Sequence, residues 1–343
     1  MPTPLVTALI DTYNHERYIE QTMVSVLEQG LSSAELEIVV VDDGSTDKTP
    51  EIIRKFAPRV KHVRKANGGQ ASAFNAGFVE AHGEIVATLD GDDWWAKGKL
   101  NAVVSALEAN SNVAAVSHGY YEFNEGTDEV KICVPPGEKF INVETPEAMH
   151  EALIRWRYLL MGALTLRRTV LEWIMPLPEE MLFMADTALQ CAAMLMGTLV
   201  LEKPLFYYRH HAQNLWAVDG RDPAKLRRRS DMTELVYSRV YRRLMELGVS
   251  REKVVAMLYP DWIAAKRFSL GTFGGSRLKA LKTEMDAFHL ERTHPSVGYR
   301  FFKYAIVGGA TLLLSPRRFY QMRGLYGRLE LGRLRDRFWK AER

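Results

Sequence analysis

Apolar runs and amphipathic stretches alternate from Leu5 to Asp90. LVTALID (Leu5–Asp11) reads as a strand. In YIEQTMVSVLEQ (Tyr18–Gln29), Ile19, Met23, Val26 and Leu27 recur at helical spacing and share one face. LEIVVVDD (Leu36–Asp43) is apolar until its carboxylates, the pattern of a strand covered on both faces. Turn and capping residues in DGSTDKT lead to a helix opening at Pro50, whose missing N–H costs nothing in a first turn. Val60–Arg64 is a short third strand and NGGQ (Asn67–Gln70) a loop. ASAFNAGFVEAHG is a helix of small residues closed by Gly83, and Glu84–Asp90 is a fourth strand. Strands alternating with helices predict a mainly parallel, doubly wound α/β sheet.

From about Val113 the pattern turns strand-rich. VAAVSHGYYEF (Val113–Phe123) and GALTLRR (Gly162–Arg168) read as strands, with a helix over Pro146–Arg155 between them. DTALQCAAMLMG (Asp186–Gly197) reads as a helix stopped by its glycine, and LVLEKPLFYYRHH (Leu199–His211) as a last strand. After Asn214 come long helical patterns rich in Arg, Leu and Met. The break DGRDP (Asp219–Pro223) predicts an α/β domain over residues 1–219 and a helical region over 220–343.

Composition narrows the class. The 343 residues suffice for one large domain or two ordinary ones, and 47% apolar with 25% charged residues is ordinary for a globular chain. A net charge of +3 gives no electrostatic reason to expect a nucleic-acid partner, and no nucleic-acid-reading motif is present. Cys133 and Cys191 lie far apart in apolar surroundings, which predicts buried thiols in a reducing compartment rather than a disulfide. The opening MPTPLVTALIDTYNHERY lacks the basic start of a signal peptide, and its apolar run is broken by Thr7 and Asp11. No stretch reaches the roughly 18 apolar residues a bilayer span needs; YAIVGGATLLLS (Tyr304–Ser315) is too short. A cytoplasmic protein is expected.

The chemistry concentrates in GEIVATLDGDDWW (Gly83–Trp95), where a buried-strand pattern ends in Asp90, Asp92 and Asp93. Like charges this close repel unless something positive sits among them. Asp11 and Asp42–Asp43 stand at two other strand ends, and a doubly wound sheet binds ligands outside the carboxyl ends of its strands. Asp90 and Asp92, two apart in extended backbone, point the same way. Such a pair suits a hard divalent cation completed by phosphate oxygens. The plainer alternative is an Asp-rich loop capping a helix that begins near Trp95.

These residues resemble the family 2 glycosyltransferases of GT-A fold. TYNHERYIEQTMVSVLEQ is similar to that family's opening segment and EIVVVDDGSTDKT to its second-strand motif. NGGQASAFNAGFVEAHGEIVATLDGDDWW is similar to the helix leading into its Asp-x-Asp motif, here Asp90-Gly91-Asp92, and PLFYYRHHAQN to the strand closing its catalytic domain. The resemblance spans about Leu5–Asn214. It implies a Rossmann-like sheet flanked by helices, and Mn²⁺- or Mg²⁺-dependent inverting transfer from a nucleotide-sugar donor, UDP-linked above all. The acceptor would be a glycan or a lipid-linked hydroxyl, as in polysaccharide biosynthesis. Thr12, Tyr13 and Asn14 would line the nucleotide pocket, and Asp43 would accept the imide N–H of the base. Asn67, Gly68 and Gly69 would shape the ribose side, with Gly91 beside them. Asp90 would meet ribose or metal, and Asp92 and His211 would meet the metal. The catalytic base would be Asp186 in FMADTALQCAAM, preceded by Ala185 where the family more often has an acid. An Asp at a helix N-terminus also serves as a cap, and a loop histidine such as His211 as a solvated residue.

Two other readings belong to different classes. A nucleotidyltransferase of the same fold family would carry a Gly/Arg/Lys-rich phosphate loop after the first strand, where this chain has DTYNHERY. A non-catalytic glycan- or membrane-binding scaffold would bind neither metal nor nucleotide. From Arg300 to Arg343, eleven Lys and Arg face three acidic residues among interleaved Phe, Leu, Met, Tyr and Trp. That is the pattern of a basic amphipathic segment at an anionic membrane surface, or of a helical subdomain with solvated arginines. The first places the protein peripherally at the inner face of the cell membrane.

Overall fold

The computed structural model describes residues 5–212, 214, 223–291 and 307–328. The chain divides into two units, one of residues 1–219 with 242–248 and one of 220–241 with 249–343.

The first unit is built on one ten-stranded sheet. Its first half is β1 (Val6–Thr12), α1 (Ile19–Leu27), β2 (Leu36–Asp42), α2 (Thr49–Arg54), β3 (Lys61–Arg64), α3 (Gln70–Glu80) and β4 (Ile85–Asp90). Then follow β5 (Trp94–Trp95), α4 (Lys99–Ala109), β6 (Ala115–Asn124), β7 (Glu129–Cys133), β8 (Lys139–Ile141) and α5 (Pro146–Arg155). β9 (Thr165–Arg167), α6 (Arg168–Ile174), α7 (Asp186–Met196) and β10 (Thr198–His210) complete it. The strand order is β3-β2-β1-β4-β9-β6-β10-β5, with β7 on β6 and β8 on β10. β3, β2, β1 and β4 run parallel, as does β6 with β10, while β9 is antiparallel to both β4 and β6. The unbroken apolar runs follow from this: Ile10, Val39, Val40 and Leu89 lie in the core with helices against the sheet. Cys133 and Cys191 are buried and free.

Two local expectations change. Trp94–Trp95 form a short strand antiparallel to β10, and the helix opens only at Lys99, so the acidic loop caps no helix. In Gly162–Arg168, residues 161–163 make a 3-10 turn, and only Thr165–Arg167 pair as a strand.

The second unit is helical. Among the described residues its helices include α8 (Pro223–Glu246, whose end belongs to the first unit), α9 (Arg251–Phe273), α10 (Arg277–Glu291) and α11 (Pro316–Arg328), and residues 307–313 are helical as well. Leu270, Ala280, Phe319 and Tyr320 form its core. Beside them Glu284, 1% exposed, accepts Nε and Nη2 of Arg267 (2.9 and 2.8 Å), the Tyr320 hydroxyl (3.0 Å) and an Arg323 nitrogen. A carboxylate buried that deeply holds its charge only with such partners. No described helix is long and apolar enough to cross a membrane. Of the basic and aromatic tail, residues 300–306 and 329–343 lie outside the described residues, as does most of the Asp219–Pro223 break.

Candidate active site

Sheet register brings the acidic strand ends together. Asp11 pairs with Asp90 across β1 and β4, and Thr12 with Asp42 across β1 and β2. The loops are stitched at the same edge, with the Asp43 N–H donating to the Thr12 carbonyl and the Gly91 N–H to that of Asp11 (both 2.9 Å). Gly91 is required there, because a Cβ would stand 2.5 Å from Thr12 Oγ1 and 2.9 Å from His15 Nδ1.

Asp43 is buried and already well supplied. Its carboxylate accepts the Lys65 ammonium (2.7 Å) and the N–H groups of Gly68 (3.0 Å) and Gly69 (2.7 Å). Gly69 has φ +85°, and a Cβ on it would strike the Leu182 Cα. That packing seats the loop before α7 on the start of α3. Asn14, also left-handed at φ 57°, accepts the Thr46 N–H on its side-chain oxygen (2.8 Å), which ties the loop after β1 to the one after β2. Tyr13 is exposed beside Thr12, and Asn67 is exposed beside Gly68.

At the Asp-x-Asp loop, His211 Nε2 lies 3.0 Å from Asp92 Oδ2, and His15 Nε2 lies 3.9 Å from the same oxygen. His211 is 6% exposed and packs its ring 4.5 Å from that of Tyr18, so it is not a solvated loop residue. Burial works against the Asp92 charge, but His15 and His211 facing it hold its carboxyl below the ordinary range. Its neighbours go the other way. Burial and then the Asp92 charge push Asp11 up to about 7; burial and then Asp11 raise Asp90 well above its usual value. Asp11 Oδ1 is buried without a hydrogen-bond partner. This is a cluster short of positive charge. Among the described residues, no three His, Cys, Asp or Glu side chains already surround a common metal position. The Asp92–His211 pair is thus the closest acid–histidine contact in the cluster.

Asp186 opens α7 and belongs to the same cluster, because its charge raises both Asp11 and Asp90. Burial lifts its own carboxyl to about 6. Ala185, the residue ahead of it, is fully buried and donates its N–H to Gln70 Oε1 (2.9 Å), while Gln70 Nε2 donates to Asp90 Oδ1 (3.3 Å). One side chain thus bridges the Asp-x-Asp strand and the start of α7.

Arg209 braces the acidic loop from the other side. Its backbone N–H donates to Asp93 Oδ1 (2.8 Å), its Nε to the Asp92 carbonyl (2.7 Å) and its Nη2 to Gln21 Oε1 (2.6 Å). Its guanidinium lies 4.4 Å from the centre of the Trp94 ring, which also stacks on Tyr207 at 4.6 Å and 5°. Trp95 is buried in the core, and Trp94 is half-buried beside Arg209 and Tyr207. Among the described residues, Asp43, Gly68, Gly69, Asp90, Gly91, Asp92, His211 and Asp186 are brought together as the sequence suggests. Lys65, Gln70, Arg209 and His15 join them without a local signal in the sequence.

The glycosyl transferase family 2 model matches residues 7–171, the stretch that supplies the acidic strand ends. Residues 7–171 belong to that family. An uncharacterised glycosyltransferase of Nostoc sp. is 35% identical to the family 2 chain over 216 residues, 61% of this chain and 66% of the relative. EpsJ of Bacillus subtilis, also an uncharacterised glycosyltransferase, is 30% identical over 227 residues, 62% of this chain and 63% of the relative. The chain thus spans a little under two thirds of these curated relatives. Among solved structures, residues 1–349 of S. aureus TarS share the fold at TM-score 0.52 and 21% identity, over 84% of this chain and 89% of that one. The same TarS fragment in complex with UDP-GlcNAc gives TM-score 0.51 and 19% identity over equal coverage. The family 2 fold here is the GT-A type, a mostly parallel sheet flanked by helices, followed by a helical C-terminal region.

Proposed function

We propose that this chain is an inverting, Mn²⁺- or Mg²⁺-dependent glycosyltransferase. It moves a sugar from a nucleotide diphosphate, a UDP-sugar first among them, to a hydroxyl of a glycan or lipid-linked acceptor. The observation that carries this is the gathering of Asp43, Asp90, Asp92, His211 and Asp186 at one sheet edge of a family 2 fold. TarS in complex with UDP-GlcNAc supports the donor class. Residues 1–219 are the catalytic domain in this reading, with 220–343 as a helical accessory region.

Each residue has a task. Thr12, Tyr13 and Asn14 line the nucleotide pocket, and Asn67, Gly68 and Gly69 border the ribose beside Gly91. Asp43 receives the imide N–H of the base at the carboxylate that Lys65 now shares. Asp92 and His211, with Asp90, would hold the cation, which fits a cluster in which Asp11 Oδ1 is buried without a partner. When bound, the cation supplies positive charge against the departing diphosphate. Asp186 takes the proton of the attacking hydroxyl, since a sugar hydroxyl is a poor nucleophile at neutral pH. A single base carboxylate fits direct displacement with inversion.

A thermal-shift screen of nucleotide sugars, with and without Mn²⁺, tests the reading. A matching UDP-sugar at about a hundred times its Kd should stabilise the fold by about 2.7 kcal/mol when Mn²⁺ is present. Silence toward every nucleoside diphosphate and sugar nucleotide, with and without metal, would favour a binding scaffold.

We also propose that the second unit meets an anionic membrane surface. Leu312 (50% exposed), Leu313 (80%) and Met322 (57%) present apolar side chains near the exposed Arg317 and Arg318. Removing the chain after Ser315 would strip Tyr320 and Arg323 from buried Glu284, so charge reversal is the cleaner test. Near such a surface each basic residue contributes about 1 kcal/mol. The double variant Arg317→Glu/Arg318→Glu should therefore bind phosphatidylserine vesicles at least about thirtyfold more weakly in flotation. Equal binding by both proteins, or none by either, would leave the region as a packing subdomain.

A further inference from the structure

We propose that Gln190 is a positioning residue for Asp186: its side-chain amide holds one carboxylate oxygen and leaves the other for the acceptor hydroxyl. The proposal rests on Asp186 being the base. Gln190 sits four residues along α7, one turn on and on the same face. It is 4% exposed. Its Nε2 donates to Asp186 Oδ2 and to the Leu159 carbonyl, both at 3.0 Å. Both amide hydrogens are therefore spent on acceptors. A flipped amide would turn its oxygen toward two oxygens, so the partners themselves fix its orientation.

A helix cap needs no such support. A capping carboxylate is satisfied by backbone N–H groups of the first turn, and those of Asp186 and Thr187 already favour its charged form. The Gln190 amide adds a hydrogen bond from the side, at a depth where burial opposes ionisation. Asp11, Asp90 and Tyr208 face Asp186 from β1, β4 and β10, and Cys191 lies beside Gln190 on α7. Of these groups and Gln190, the glutamine alone is a neutral donor with both hydrogens committed. A rotating carboxylate would present either oxygen to the acceptor. With Oδ2 held, proton transfer is confined to Oδ1, and the reacting geometry is set before the acceptor arrives.

Infrared difference spectra of the full chain, taken against pH without ligand, can follow Asp186 as the protonated-carboxyl band that Asp186→Asn deletes. Gln190→Met is nearly isosteric and lacks the donor, and should move the midpoint of that band up by about one pH unit. Gln190→Glu keeps the shape but sets acceptor against acceptor, and should move it further. Hydrolysis of a UDP-sugar, with water as acceptor, should lose about ten- to a hundredfold in kcat in Gln190→Met with the donor KM unchanged. A merely structural role would lower the thermal midpoint yet leave the carboxyl titration in place. An unshifted band in both variants with wild-type kcat overturns the proposal. Wild-type hydrolysis by Asp186→Asn overturns instead the base reading beneath it, and the band shift separates the two failures.

Discussion

Asp186→Asn should cut transfer to the acceptor by about 10²–10⁴-fold, the usual worth of a positioned general base, while UDP affinity stays nearly unchanged. In the proposed mechanism the carboxylate acts on the acceptor proton and not on the diphosphate, so the loss should appear in kcat. Asp186 is the first residue of α7, behind the N-cap Ala185, and asparagine keeps its shape and a side-chain oxygen there, so the start of α7 should survive the exchange. The pH dependence of the wild type carries a second signature. Burial lifts the Asp186 carboxyl to about 6, and only its ionised form accepts a proton. The rate should therefore be flat above that point and fall about tenfold per unit as pH drops below it. Steady-state kinetics over pH 5–8, with isothermal titration of UDP alongside, measures both. A variant that keeps most of its activity would reduce Asp186 to a cap.

Asp92→Asn should weaken Mn²⁺-dependent UDP binding at least about a hundredfold, beyond what losing a supporting contact to a metal ligand usually costs. The substitution keeps the side-chain shape but removes the charge that His211 and His15 face. A hard cation then loses its best oxygen donor. The fold should persist, because relieving like charge beside Asp11 and Asp90 removes a repulsion. Calorimetric titration of UDP with and without Mn²⁺ decides. Unchanged metal-dependent binding in the variant would remove Asp92 from the metal site.

Much of the first unit was legible because parallel strands covered on both faces leave unbroken apolar runs. Val39–Val41 and Ile85–Leu89 have no other plausible place. The acidic positions were legible for a related reason: carboxylates are out of place at the end of such a run unless a ligand waits there. Trp94–Trp95 escaped, since a two-residue strand is defined by its partner Phe206–Tyr207, more than a hundred residues away. The 3-10 turn inside Gly162–Arg168 escaped because a short apolar stretch reads alike as strand or turn. Gln70 and Arg209 escaped because a polar side chain bridging two distant segments leaves no periodicity behind. Gln190 could have been read, since it stands at i+4 from a candidate base on a helix.

The stack of Arg209 on Trp94 and of Trp94 on Tyr207 has a consequence for the energy of the reaction. The Arg209 guanidinium grips the backbone carbonyl of Asp92 while its plane lies against a ring, and the Arg209 backbone N–H holds the carboxylate of Asp93. The dipoles around the acidic loop are thus aimed before any substrate arrives. In water, solvent must reorient as the electron pair of a breaking C–O bond builds charge on a leaving diphosphate, and that reorganisation makes up much of the barrier. In the proposed transfer, a loop held in this way would meet that charge with its environment already in place, which is electrostatic preorganisation, and the aromatic stack would be the strut that maintains it.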